Sequence, residues 1–140
     1  MNGPIIAGTD GSATAEIAIN EAIKLAGAFE QPLHIVCAHR PSQTKVPAEF
    51  KGSVNPHRQA ESVLADAASR ARMAGVTVET HAVVGDPADA ILDLAESIGA
   101  GLILIGNRGI GSAKRFVLGN VPSKVVHHAP CSTYIVHTTG

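Results

Sequence analysis

Aromatic side chains are nearly absent from this chain: one Tyr, three Phe and no Trp in 140 residues. Phe29, Phe50, Phe116 and Tyr134 are scattered, so the core is expected to be built from Ala, Val, Ile and Leu. An excess of charge of one sign is missing too, with 11 basic residues against 12 acidic ones. Without a basic stripe or a cluster of aromatics for base stacking, nucleic acid is not an expected partner. No apolar run approaches the roughly 20 residues needed to span a bilayer. The N-terminal segment also lacks a charged stretch followed by a signal-type apolar one. A cytoplasmic protein with no membrane partner is therefore expected. Cysteine is scarce: Cys37 and Cys131 show no C-x-x-C spacing and form neither a disulfide framework nor a zinc motif. Both fall in apolar, strand-like runs, where free Cys serves as a small core residue.

What is present is a regular alternation of strand and helix patterns over one expected domain, residues 1–140. Pro4 to Thr9 is a short apolar run followed by Asp10-Gly11-Ser12. Ala15, Ala18, Ile19, Ala22, Ile23 and Ala26 then recur at helical spacing, with Gly27 as the expected stop. Leu33 to Ala38 reads as a second strand, and the polar stretch from His39 to Ser53 as a long loop. Asn55-Pro56 opens a second helix that ends near Gly75, and Val76 to Val84 makes a third strand. Asp86-Pro87 opens a third helix that Gly99 ends. Gly101 to Ile105 is the fourth strand, Val121 to His128 the fourth helix, and Cys131 to Thr138 the last strand. Five strands and four helices in strict β-α-β order imply an α/β, doubly wound parallel sheet with helices on both faces.

The fourth apolar run ends abruptly in Gly106-Asn107-Arg108-Gly109, and a fourth helix starts after Gly119-Asn120-Val121-Pro122. Asn120 is the expected N-cap, with Pro122 tolerated in the first turn. Strand, glycine loop and helix N-terminus together present unpaired N–H groups and the positive end of a helix dipole to one point, which suits phosphate. In doubly wound sheets ligands sit beyond the carboxyl ends of the strands where strand order reverses. Thr9-Asp10-Gly11-Ser12 after the first strand and the glycine loop after the fourth serve one site if those two strands are neighbours.

Gly106-x2-Gly109-x9-Gly119, the Gly8-Thr9-Asp10-Gly11-Ser12 segment, the Asp86-Pro87 helix start and the ending His128-Ala129-Pro130-Cys131 resemble the universal stress protein family. The resemblance is to its ATP-binding branch, known for G-x2-G-x9-G followed by Ser or Thr, and covers essentially the whole chain. It implies an adenine-nucleotide alpha-hydrolase-like fold of strand order 3-2-1-4-5, with an adenine nucleotide between strands one and four. ATP is the implied ligand, with Mg2+ possible alongside it; a few relatives favour cyclic AMP, and AMP is the remaining form. Position by position, the resemblance puts Asp10 near the ribose, Gly8 and Thr9 on the adjacent wall, and Ala38 against adenine. Ile105 and Gly106 continue that wall, Arg108 and Gly109 line the triphosphate path, and Gly119, Asn120, Val121 and Pro122 meet the phosphates. Asn120 departs from the family's Ser or Thr; its amide can donate to a phosphate oxygen but does not reproduce a hydroxyl's geometry. Pro122 removes one N–H donor.

The implied strand order separates Cys37 and Cys131 by three strand spacings, roughly 14 Å, so no disulfide joins them. It also leaves the last strand, residues 131–138, at a sheet edge with no Pro or Lys to blunt it. Pairing with a second copy in a two-fold dimer is expected there, as the family does. Lys114 and Arg115 are either phosphate partners or a solvated face. Adjacent helical residues such as His127 and His128 diverge by about 100° and cannot readily chelate one ion. The sequence holds no G-x4-G-K-S/T, G-x-S-x-G or H-E-x-x-H motif. Asp10 is the one acidic candidate near the glycine loop, which leaves catalysis without an identified residue set. The expectation is a ligand-dependent stress-response regulator. Slow metal-dependent ATP hydrolysis and a nucleotide-free dimeric interaction module are the alternatives.

Overall fold

A computed structural model describes residues 2–41, 55–107 and 118–138. The elements run β1 (Ile5–Gly8), α1 (Ala13–Phe29), β2 (Leu33–His39), α2 (Pro56–Met73), β3 (Val78–Val84), α3 (Pro87–Ile98), β4 (Leu102–Gly106), α4 (Asn120–His128) and β5 (Ser132–Val136). The sheet has the order β3-β2-β1-β4-β5 with every neighbouring pair parallel. This is the doubly wound architecture and strand order expected above.

The apolar runs are continuous because the central strands bury both faces. Alternate residues go to opposite sides. Ile5, Leu33, Ile35 and Leu104 pack with Ile19 of α1 and Leu64 of α2. Ile6, Val36, Ile103 and Ile105 pack with Ile91 of α3 and Val125 of α4. Ala, Val, Ile and Leu supply the bulk of the two layers, and among the described residues no aromatic side chain enters either of them.

Helix starts follow the sequence signals. Ser12, Asn55 and Asp86 occupy the N-cap positions of the first three helices, each accepting a backbone N–H bond with its side chain. Gly99 closes α3 in the left-handed conformation at φ 66°. Several boundaries shift by one to three residues from expectation. Gly27 does not stop α1: the helix continues to Phe29, and Glu30 adopts the left-handed conformation at φ 55°. Glu30 is held there because its N–H reaches back to the carbonyls of Ala26 and Gly27. Cys131 lies just before β5 rather than inside it. Both cysteines are free, as expected, and Cys37 is buried.

Candidate functional site

Strands β2 and β3 extend to one side of β1, whereas β4 and β5 extend to the other. The order therefore reverses between β1 and β4, which pair directly through Ile5–Leu102, Ile6–Ile103 and Ala7–Leu104. Their carboxyl ends carry the two segments singled out in the sequence.

After β1 the backbone is locked by its own side chains. The Thr9 N–H donates to the Val36 carbonyl at 2.9 Å, continuing the ladder past the strand end. Thr9 Oγ1 accepts from the Gly11 N–H at 3.1 Å, and Asp10 Oδ1 accepts from the Ser12 N–H at 2.9 Å. Ser12 Oγ accepts from the Ala15 N–H at 3.1 Å and caps α1. Asp10 is thus a turn residue, Ser12 is the cap, and the Asp10 carboxylate remains exposed at the strand end. Its charge is felt across the strand ends: burial, then Asp10, raise the Cys37 thiol above its ordinary pKa. Gly11 sits at φ +82°, and a Cβ there would lie 3.0 Å from Val63 Cγ2 of α2, so the turn requires glycine.

Gly8 has a packing reason of its own. A Cβ on it would lie 2.7 Å from Ile91 Cδ1 and 3.3 Å from Ile105 Cγ2. The missing side chain lets α3 settle onto the end of β1.

After β4, Asn107 organises the strand end. Its N–H donates to the Val136 carbonyl at 3.0 Å, and its carbonyl accepts from the Gly119 N–H at 3.1 Å. Its Oδ1 accepts from both the N–H and the hydroxyl of Thr138, at 2.9 and 2.8 Å. Thr138 is buried. The sequence names both only as members of the glycine segment and of the last strand, with no role of their own. The available signal was an Asn at a strand end, a residue type whose side chain bonds nearby backbone. Replacing Asn107 with Leu leaves two donors of Thr138 without their acceptor. A loss of about 2 kcal/mol is expected, read as a lower urea midpoint.

The start of α4 corrects an expectation. Gly119, not Asn120, is the N-cap, and no side chain caps the helix. Two backbone bonds decide this: Gly119 N–H is held by Asn107, and Gly119 C=O accepts the Ser123 N–H at 3.0 Å. Asn120 becomes the first helical residue, with an exposed side chain. Pro122 is buried and Val121 half-buried beneath the helix. Lys124 ties α4 to the start of α3 through Asp89 at 2.8 Å and Asp86 at 3.5 Å. An uncapped helix start retains unpaired N–H groups and the positive end of the dipole.

The structure therefore brings Gly8, Thr9 and Asp10 alongside Gly106, since β1 and β4 are adjacent. It places Gly119 against the end of β4. Ala38, near the end of β2, is half-buried against the α3/α4 layer, and Ile105 is buried within that layer. Arg108, Gly109, Lys114 and Arg115 lie outside the described residues, as does most of the 39–53 stretch. His127 and His128 have ring centroids 6.0 Å apart at an interplanar angle of 66°. They are not among the groups of metal-ligating side chains brought together in the described residues.

A sheet whose strand order reverses in this way defines the class of doubly wound α/β proteins. Within that class the chain belongs to the universal stress protein family, whose model matches residues 1–137. The universal stress protein Rv1636 of Mycobacterium tuberculosis is 34% identical, with 96% of each chain covered. A universal stress protein solved in complex with cAMP is 30% identical, with a TM-score of 0.78 over 99% of this chain and all of that one. One from Archaeoglobus fulgidus in complex with dAMP is 26% identical, with a TM-score of 0.72, covering 96% of this chain and 97% of that one. No helix among the described residues is long and apolar enough to cross a membrane.

Proposed function

We propose that this chain is one universal stress protein domain, residues 1–140. It binds an adenine nucleotide across the carboxyl ends of β1 and β4 and works in the cytoplasm as a ligand-dependent stress-response regulator. The observation that carries this reading is the uncapped start of α4, hydrogen-bonded through Gly119 to the end of β4 and set beside the strand-order reversal. The relatives solved in complex with cAMP and dAMP support an adenine nucleotide as occupant.

In this reading Asp10 receives the ribose hydroxyls on its exposed carboxylate. Gly8 and Thr9 form one wall, Ala38 lies against adenine, and Ile105 and Gly106 continue the surface. The backbone N–H groups of Asn120 and Val121 hold phosphate beside Gly119, whose own N–H is committed to Asn107, Pro122 packs beneath the helix entrance, and Arg108 and Gly109 line the triphosphate path. The backbone angles of Gly119, φ −62° and ψ 164°, are open to any residue. Its glycine is therefore not a conformational requirement, and the missing side chain keeps the helix mouth open to a ligand. ATP, with Mg2+ accompanying it, is the proposed ligand; AMP and cyclic AMP are its competitors.

The same reading makes β5 a dimer seam. It is an edge strand with an exposed Tyr134 and a half-buried Ile135, and unpaired edges of this kind join a second copy in register.

Nucleotide retained through purification tests the binding claim. Heating the purified protein and chromatographing the supernatant is expected to release an adenine nucleotide approaching one per chain, and much less from Asp10→Ala. Equal amounts from both proteins would remove Asp10 from the site. A protein that neither carries nor rebinds nucleotide would leave the interaction-module reading.

A further inference from the structure

A polar interruption of the sheet core lies on the side away from β5, where β2 meets the edge strand β3. His34 sits in the otherwise apolar run Leu33–Cys37 of β2, directly across from Glu79 of β3. Two residues on, His81 lies across from Val36. Period-two alternation puts Glu79 and His81 on one face, and parallel register puts His34 on the same face. That face belongs to the α3/α4 layer, since Val36 and Val83 join its core. His34 is buried, His81 is about a quarter exposed, and Glu79, on the edge strand, is open to solvent.

The donor atoms converge. His34 Nδ1 lies 2.9 Å from His81 Nε2 and 3.3 Å from Glu79 Oε2, and His81 Nε2 lies 3.9 Å from the same carboxylate oxygen. The imidazole planes are within 16° of each other with centroids 5.2 Å apart. A centroid separation that large, with nitrogens that close, leaves the rings edge to edge with their nitrogens facing. Two facing imidazole nitrogens share one proton between them. A tetrahedral Zn2+ with Zn–N bonds of about 2.0–2.1 Å separates its donors by roughly 3.3 Å. The three observed separations fall on either side of that value, so an ion is accommodated beside the N–N axis if the histidines part by about 0.4 Å and their rings turn until both lone pairs and the carboxylate point to one vertex.

We propose that His34, Glu79 and His81 form a binding site for a divalent transition ion, with Zn2+ as its reference occupant. Two imidazoles and a carboxylate are a donor set that suits Zn2+ over Mg2+ or Ca2+, which prefer oxygen throughout. The ligands stand on paired strands, whose backbone fixes their spacing. Glu79 gives the ion an approach from solvent, and the fourth position is left for water. The site is separate from the nucleotide site: His34 precedes Ala38 by about 13 Å along β2 at the usual rise per residue. Among the described residues this is the group of His, Cys, Asp and Glu side chains whose ligand atoms come together in this way.

The test is titration of tag-free, nucleotide-stripped protein with ZnCl2 in chelator-washed buffer, repeated with Co2+ followed by visible absorption. One saturable Zn2+ per chain and the intense bands of four-coordinate Co2+ are expected. His81→Ala should weaken Zn2+ binding by more than the roughly 10–100-fold that loss of an outer hydrogen-bond partner costs. Glu79→Gln, an exposed substitution, should weaken it by about 10-fold or more while the circular dichroism spectrum stays unchanged. His57→Ala removes a different histidine contact, His39–His57, and should leave binding as it was. Absence of saturable binding overturns the proposal, as do equal affinities in the wild type and Glu79→Gln. So does a loss in His57→Ala equal to that in His81→Ala.

Discussion

Replacing Gly119 with Asp is expected to make the protein more stable and unable to hold nucleotide. The substitution supplies the side-chain cap that α4 lacks. Asp outranks Gly at this position by a few tenths of a kcal/mol, and a negative charge at a helix start adds a similar amount. With φ at −62° and ψ at 164°, the new side chain enters without strain. A rise in melting temperature of about 2 °C follows for a chain of this size. The same carboxylate occupies the phosphate position and repels an anion there. Like-charge juxtaposition costs several kcal/mol, so a loss of about 100-fold or more in affinity is expected. Thermal denaturation and a binding titration on one preparation read both effects. Unchanged affinity with a higher melting temperature would show that the helix start is not the phosphate site.

Gly8→Val is expected to act in the opposite sense, on stability first. Its Cβ would stand 2.7 Å from Ile91 Cδ1 and 3.3 Å from Ile105 Cγ2, and branching adds further methyl groups in the same gap. Overpacking of this kind costs about 3 kcal/mol, a fall of about 10 °C in melting temperature. The clash is mainly with one flexible side chain, so Ile91→Ala in the same molecule should restore part of the loss even though it is destabilising alone. This non-additivity is the signature of direct contact. A Gly8→Val protein of wild-type stability would show that α3 does not rest on β1 as described.

These two glycines show what sequence reading reaches and where it stops. The alternation of β1, α1, β2 and the rest was legible because apolar runs, period-3.6 faces and cap residues agree: Ser12, Asn55 and Asp86 each cap as their residue types promise. Strand order and the pairing of β1 with β4 came from the glycine spacing and the family resemblance it carries. The end of α1 was not legible, because Glu30 takes a left-handed conformation that residue type argues against. Asn120 was misplaced by one position because Gly119 is fixed from outside the helix, by the Asn107 carbonyl at the end of β4. Gly8 gave no sign of its packing role, since Ile91 meets it only once the chain has folded. His34 and His81 are 47 residues apart in sequence, and only the β2/β3 register makes them neighbours.

The measurement that tests the central claim most directly is calorimetric titration of nucleotide-stripped protein with ATP, ADP, AMP and cyclic AMP, each with and without Mg2+. Saturable binding near one nucleotide per chain, with ATP tightest and strengthened by Mg2+, is the predicted result. Tightest binding of cyclic AMP or AMP would keep the site and replace the proposed ligand. No heat and no protection from thermal unfolding with any of the four would contradict the account, because the uncapped start of α4 and the segment after β1 would then bind no adenine nucleotide.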